Sequence, residues 1–181
     1  PTAGACGVLP AVLVPYFQKR CRNTDKILKA MYVAAGIGQI IATRSSISGA
    51  AGGCQAEIGS ASSMAAGALT YLQGGNCEQI ATAAAMAMKN LLGLVCDPVA
   101  GLVEVPCVKR NVIGTVNAMA CADMAMAGIV SRIPPDQVMD AMKEVGDKMD
   151  ASLRETALGG LARTEEGVKI AEKMHVSQEN W

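Results

Sequence analysis

The stretch Ser60-Ala61-Ser62-Ser63-Met64-Ala65-Ala66-Gly67-Ala68-Leu69-Thr70-Tyr71-Leu72 decides the fold class. It contains no proline and no strand-like alternation, and Gly74-Gly75 breaks it, so it reads as one helix. Nearly every side chain in it is small, which lets neighbouring helix backbones approach closely. Composition extends that reading to the whole chain. Apolar residues fill 51% of the 181 positions and aromatics 3%, with 19 Gly, 11 Met, one Phe and one Trp.

Upstream, Asn23 or Thr24 caps a helix running to about Thr43, in which Gly36 and Gly38 call for close packing against a neighbour. Arg44 to Gly53 is a poor helix and a poor strand, a loop of small hydroxyls and exposed backbone N–H groups. Downstream, Asn76 caps a helix apolar almost all round (Ile80, Ala83, Ala87, Leu91), the pattern of a central helix, which Gly93 ends. Val95 to Cys107 holds two prolines and a glycine and reads as an ordered loop. Another helix runs from Lys109 to about Ala127. Pro134-Pro135-Asp136 then starts an amphipathic helix with Val138, Met142, Val145 and Met149 on one stripe. After Gly159-Gly160 the chain turns polar and ends in Trp181, and this tail either drapes over a partner or is partly disordered. The class is all-α, a compact bundle of small-residue-rich helices with cysteine-bearing loops, forming a single domain over residues 1–181 with its tail from about 164.

Sixteen basic residues balance sixteen acidic ones, which argues against nucleic acid or an anionic membrane as partner. The longest uncharged run, Ile58 to Cys77, carries Ser60, Ser62, Ser63, Thr70, Gln73 and Asn76, too polar to span a bilayer. No basic-then-apolar leader precedes it. The chain starts at Pro1, and the expectation is a fragment or processed form of a longer cytoplasmic protein.

Seven cysteines stand at 6, 21, 54, 77, 96, 107 and 121. An odd number without a secretory leader argues against a disulfide framework, and no C-x-x-C is present. Cys96 precedes Asp97-Pro98 and Cys107 follows Pro106, so both sit on stiffened backbone at the two ends of one loop. That loop is long enough to turn back and bring both sulfurs to one metal centre. Cys54, in the other Gly-rich loop, can add a third sulfur. Three thiolates with one open position are the layout of a Lewis-acid site rather than a structural one. Buried free thiols are the competing reading. The loop Ser45-Ser46-Ile47-Ser48-Gly49 beside Cys54 offers hydroxyls and N–H groups as an anion-binding nest.

Two long motifs, Ser46-Ile47-Ser48-Gly49-Ala50-Ala51-Gly52-Gly53-Cys54-Gln55-Ala56-Glu57-Ile58-Gly59-Ser60 and Leu92-Gly93-Leu94-Val95-Cys96-Asp97-Pro98-Val99-Ala100-Gly101-Leu102-Val103-Glu104-Val105-Pro106-Cys107, strongly resemble the α part of bacterial iron–sulfur-dependent L-serine dehydratases. Pro1-Thr2-Ala3-Gly4-Ala5-Cys6-Gly7 is similar to that family's Pro-Thr-x-Gly-Ala-x-Gly stretch. The resemblance implies a [4Fe–4S] cluster held by Cys54, Cys96 and Cys107 with its fourth iron open. It implies a lyase that deaminates L-serine to pyruvate and ammonia. It also implies a β chain or fused β domain as partner, within a homo- or hetero-oligomer. Trp181 stands where some fused members end in a cysteine that caps the open iron, so a self-capped resting state is not expected. The alternative is a helical partner subunit, or an inactive fragment, that binds β without a cluster.

For the substrate, the candidates are Ser46, Ser48 and Thr2 for the carboxylate, with Arg110 and Asn111 behind the second ligand loop. Arg110 can bind the carboxylate or offset the cluster's negative charge. Asn111 can hold the loop or touch substrate. His175 is the only histidine and reads as a surface residue, which leaves the general base unassigned. Cys6, Cys21, Cys77 and Cys121 read as core or surface thiols, with Cys121 a packing residue in its helix.

Overall fold

A computed structural model describes residues 1–174. A 3-10 turn, Ala3–Gly7, leads into α1 (Val8–Lys19), followed by α2 (Thr24–Arg44), a single turn α3 (Gly49–Gly52), α4 (Ser60–Leu72) and α5 (Cys77–Lys89). Next come α6 (Cys107–Met126), α7 (Pro135–Lys148) and α8 (Glu165–Lys173). The described residues contain no strand, only one isolated parallel bridge between Cys96 and Arg154, so the fold is all-α. No helix among them is long and apolar enough to cross a membrane.

The helix starts follow from local chemistry. The Asn23 side chain accepts from the Lys26 N–H at 3.0 Å. Asn76 and Gln79 form a reciprocal capping box at α5. Pro135 sits in the first turn of α7, where its missing N–H costs nothing.

The centre of the bundle is α4, not α5 as the apolar pattern predicts. Every residue of α4 except Tyr71 is buried, and α1, α2, α5 and α6 pack around it. On α5 only the C-terminal half, Ala83 to Met88, is buried. The reason lies in Ser62, Ser63 and Thr70, which are polar by composition but need only one carbonyl each to enter a core. Ser62 Oγ donates to Gly114 O at 2.8 Å, Ser63 Oγ to Ala84 O at 2.9 Å and Thr70 Oγ1 to Ala66 O at 2.8 Å. Asn117 adds bonds to Ser62 Oγ and Ala87 O. Small residues then set the spacing. A Cβ on Gly67 would lie 2.2 Å from Ile37 Cδ1, and one on Gly38 would lie 2.9 Å from Met64. Gly38 therefore meets the close neighbour that its helix position calls for, whereas Gly36 faces open space.

Two further segments add to the sequence reading. The Gly-rich segment before Cys54 contains a helical turn, α3, because glycines let it sit against α7: a Cβ on Gly146 would lie 3.0 Å from the Gly52 Cα. Within the tail, Glu165–Lys173 form a helix, α8. Thr164 caps α8 by accepting from the Gly167 N–H, and Ala171 and Ile170 pack on Val99 and Ala100. His175 and Trp181 lie outside the described residues.

Candidate metal centre

Three segments converge on one corner of the bundle. Gly53, with φ +75, turns the chain out of α3, and a Cβ there would come 2.9 Å from Leu94 O, so only glycine fits. Cys54 follows at the start of a π-helical turn, Gln55–Gly59, that runs directly into α4. Cys107 is the first residue of α6. Cys96 is pinned between them: its N–H donates to Leu153 O and its C=O accepts from the Glu155 N–H, both at 2.8 Å. The loop from 96 to 107 closes on itself through Val99 N–H to Val105 O at 2.9 Å.

This brings the sulfurs of Cys54, Cys96 and Cys107 within 4.8 Å of one another, all buried, with no fourth ligating residue in the group among the described residues. Two of the three cysteines sit at helix N-termini, where the backbone N–H groups and the helix dipole favour negative charge. Hydrogen bonds from Cys54 and Cys96 pull the Cys107 thiol well below its ordinary range, helped by Arg110, while the same shared protons and burial push Cys54 and Cys96 up. The other thiols play no part. Cys121 is buried within α6, and burial pushes its thiol up to about 11.

Arg110 Nη1 is occupied within the chain. It donates to Asp97 Oδ1 at 2.7 Å and Val95 O at 2.8 Å, and lies 4.0 Å from Cys54 Sγ. Asp97 is 3% exposed and its other oxygen accepts from the Leu161 N–H. Arg110 thus braces the ligand loop and places positive charge beside a thiol.

A cavity opens beside Cys96 and Cys107, lined among others by Glu57, Asn111, Glu155, Gly4 and Val108. Asn111 faces it, and its Oδ1 is buried without a hydrogen-bond donor. Ser46, Ser48, Thr2 and Arg110 do not line it. Ser46 Oγ accepts from the Ser48 N–H at 3.1 Å and borders a separate cleft with Lys143 and Asp147. Thr2 Oγ1 lies 2.8 Å from Glu57 Oε1 and 3.0 Å from Ile47 O.

Glu57 is the residue that sequence reasoning missed. It is 8% exposed, and the expected anion nest serves it, since the Gly49 N–H donates to its carboxylate. Burial pushes its carboxyl above the ordinary range, and Thr2 and Gly49 offset part of that rise. A signal was available: between Arg44 and Glu78 it is the only charged residue. Glu155 had no such signal, because it reaches the cavity mouth through a left-handed backbone, φ +68.

The serine dehydratase alpha chain family model matches residues 1–162. The chain belongs to that family. It is 54% identical over 96% of its length to the probable L-serine dehydratase alpha chain of Bacillus subtilis (strain 168). It is 54% identical over 94% to that of Latilactobacillus sakei, and 50% identical over 94% to the L-serine dehydratase alpha chain of Peptoniphilus asaccharolyticus. The chain spans 58% of the Bacillus and Peptoniphilus relatives and 81% of the Latilactobacillus one. The family match therefore covers all three converging segments, from Thr2 through Cys54 and Cys96 to Glu155.

Proposed function

We propose that this chain is the cluster-holding α part of an iron–sulfur-dependent L-serine dehydratase, a lyase that converts L-serine to pyruvate and ammonia. The observation that carries the reading is the buried triad Cys54, Cys96 and Cys107, three thiols without a fourth ligand, beside a cavity with unpaired polar groups. The donor set fits an iron–sulfur cluster, which thiolates hold, and leaves one position open. Cys54, Cys96 and Cys107 would hold a [4Fe–4S] cluster, whose open iron supplies Lewis acidity to the leaving hydroxyl of serine. The helix N-termini at Cys54 and Cys107, with Arg110, offset the negative charge gathered there.

The reaction breaks the Cα–H and Cβ–O bonds of serine and forms an enamine. The enamine tautomerises to the imine, which water hydrolyses to pyruvate and ammonia. No electrons are exchanged overall. Of the groups lining the cavity, Asn111 is placed to orient substrate and Glu57 and Glu155 are placed to hold charge or a proton. Thr2 reaches the cavity through its contact with Glu57, and Ser46 and Ser48 lie outside the residues that line it.

A β chain as partner accords with the alpha-chain names of the relatives. It also accords with the apolar row Val108, Val112, Val116 and Met119, which α6 leaves exposed from the cavity mouth along its length. The test is iron and acid-labile sulfide per chain after anaerobic reconstitution, with β present, followed by pyruvate release from L-serine. About four of each with turnover is expected. A single bound ion without sulfide, or a full cluster without turnover, would overturn it.

A further inference from the structure

The cavity has a polarity that the substrate must match. Its two charged lining residues, Glu57 and Glu155, are both acidic, and no Lys or Arg lines it. The guanidinium beside Cys54, that of Arg110, is held by Asp97 and the Val95 carbonyl. Glu57 is more than nine-tenths buried, yet none of the ion pairs among the described residues includes it. Burying a carboxylate without a cation costs stability, so its retention asks for a partner that arrives from outside. Asn111 Oδ1 makes a second, independent demand, as a buried acceptor with no donor. Two acceptors on one cavity call for a cationic group with several N–H donors, which a primary ammonium is.

The carboxylate is also held in place. Thr2 Oγ1 stands 2.8 Å from Oε1, and a Cβ on Gly49 would come 3.2 Å from Glu57 Cδ and 3.3 Å from Cys96 Sγ. The backbone at Gly49 thus packs tightly behind both groups. The π-helical turn Gln55–Gly59 carries Glu57 into the cavity wall, a distortion that recurs at functional sites.

We propose that Glu57 is the residue that receives the α-ammonium group of the substrate, with Asn111 Oδ1 as its second acceptor and Thr2 as a positioning residue for the carboxylate. The proposal rests on the L-serine reading above and adds a division of labour. This chain binds the hydroxyl end and the ammonium, and the α-carboxylate points away from Glu57, toward donors outside this wall.

The experiment compares L-serine with L-glycerate, which keeps the carboxylate and the β-hydroxyl but carries a hydroxyl in place of the ammonium. Dissociation constants are taken by stopped-flow titration of the cluster absorbance, ahead of turnover, in the reconstituted holoenzyme, with iron content as the control for integrity. The parent protein prefers L-serine. In Glu57→Gln that preference falls about a hundredfold, because a buried charge-assisted bond is lost from one ligand only. In Thr2→Val, which keeps the carboxylate but frees it, the preference falls about tenfold, with the charge retained. An unchanged preference in Glu57→Gln overturns the proposal while leaving the L-serine reading intact. Should Glu57→Gln fail to hold iron, an unchanged preference in Thr2→Val overturns it instead. A parent holoenzyme that binds no L-serine overturns both.

Discussion

The two ends of the helical run from residue 54 to residue 72 live by different rules. In its α4 part beyond the first residue, Ser60, buried polar groups are matched: Ser62, Ser63 and Thr70 each donate to a carbonyl, and Asn117 bridges two helices. At its N-terminal end, one turn earlier, the groups are mismatched. Three thiols share their protons, Glu57 has no cation, and Asn111 Oδ1 has no donor. A fold gains nothing from such a corner. The matched end is built for stability and the mismatched end for something that binds, which is where sequences are expected to break local rules. Substitutions at the two ends should therefore differ in kind.

The largest contrast is among the cysteines. Cys54→Ala, Cys96→Ala and Cys107→Ala should each bring the iron content of reconstituted protein close to background and abolish serine turnover. Cys121→Ala, in the matched core, should keep full iron and lose only about 1–2 kcal/mol of stability from a small cavity. Iron retained in any of the three, or lost in Cys121→Ala, would erase the distinction.

Next in size is the brace. The Asp97–Arg110 pair is nearly buried, at 4% and 15% side-chain exposure, and Asp97 also receives the Leu161 N–H. Arg110→Gln leaves a buried carboxylate uncompensated and should cost about 3 kcal/mol. Ser62→Ala removes one neutral hydrogen bond and should cost about 1 kcal/mol. Urea unfolding of the metal-free chains separates the two, and equal losses would mean that Arg110 braces nothing.

How much of this was legible depended on range. The helix starts at Thr24, Cys77 and Pro135 were readable because each cap is written within three or four residues. The burial of α4 was not legible because periodicity treats Ser62 and Ser63 as polar, whereas a neighbour's carbonyl makes each a core residue. Helix α8 was missed because its apolar residues, Val168, Ile170 and Ala171, gain meaning only against Val99 and Ala100, about seventy residues earlier. The thiol triad spans residues 54 to 107, so spacing alone left it open beside free thiols, and family resemblance rather than local chemistry named it. The contact of Thr2 with Glu57 was not legible either, because the two lie 55 residues apart in the chain.

The smallest effect is the sharpest test, because it changes sign between the two ends. Ser63→Ala removes a matched group and should lower the stability of the metal-free chain by about 1 kcal/mol at every pH, the hydroxyl having no charge to lose. Glu57→Gln removes a mismatched one and should raise stability by about 1 kcal/mol at neutral pH. The sign follows from linkage. The Glu57 carboxyl is raised in the folded chain above its ordinary value of 4.5, chiefly by burial. The favourable protonated form is fully present below the unfolded value, and its benefit is lost as pH rises through the folded one. At neutral pH the parent carries the cost of a buried charge and the glutamine variant does not. Below about pH 4 both side chains are neutral and the gap should close. A gap that stayed constant from pH 4 to pH 7, or a variant less stable at pH 7, would place Glu57 among the matched groups and end the contrast.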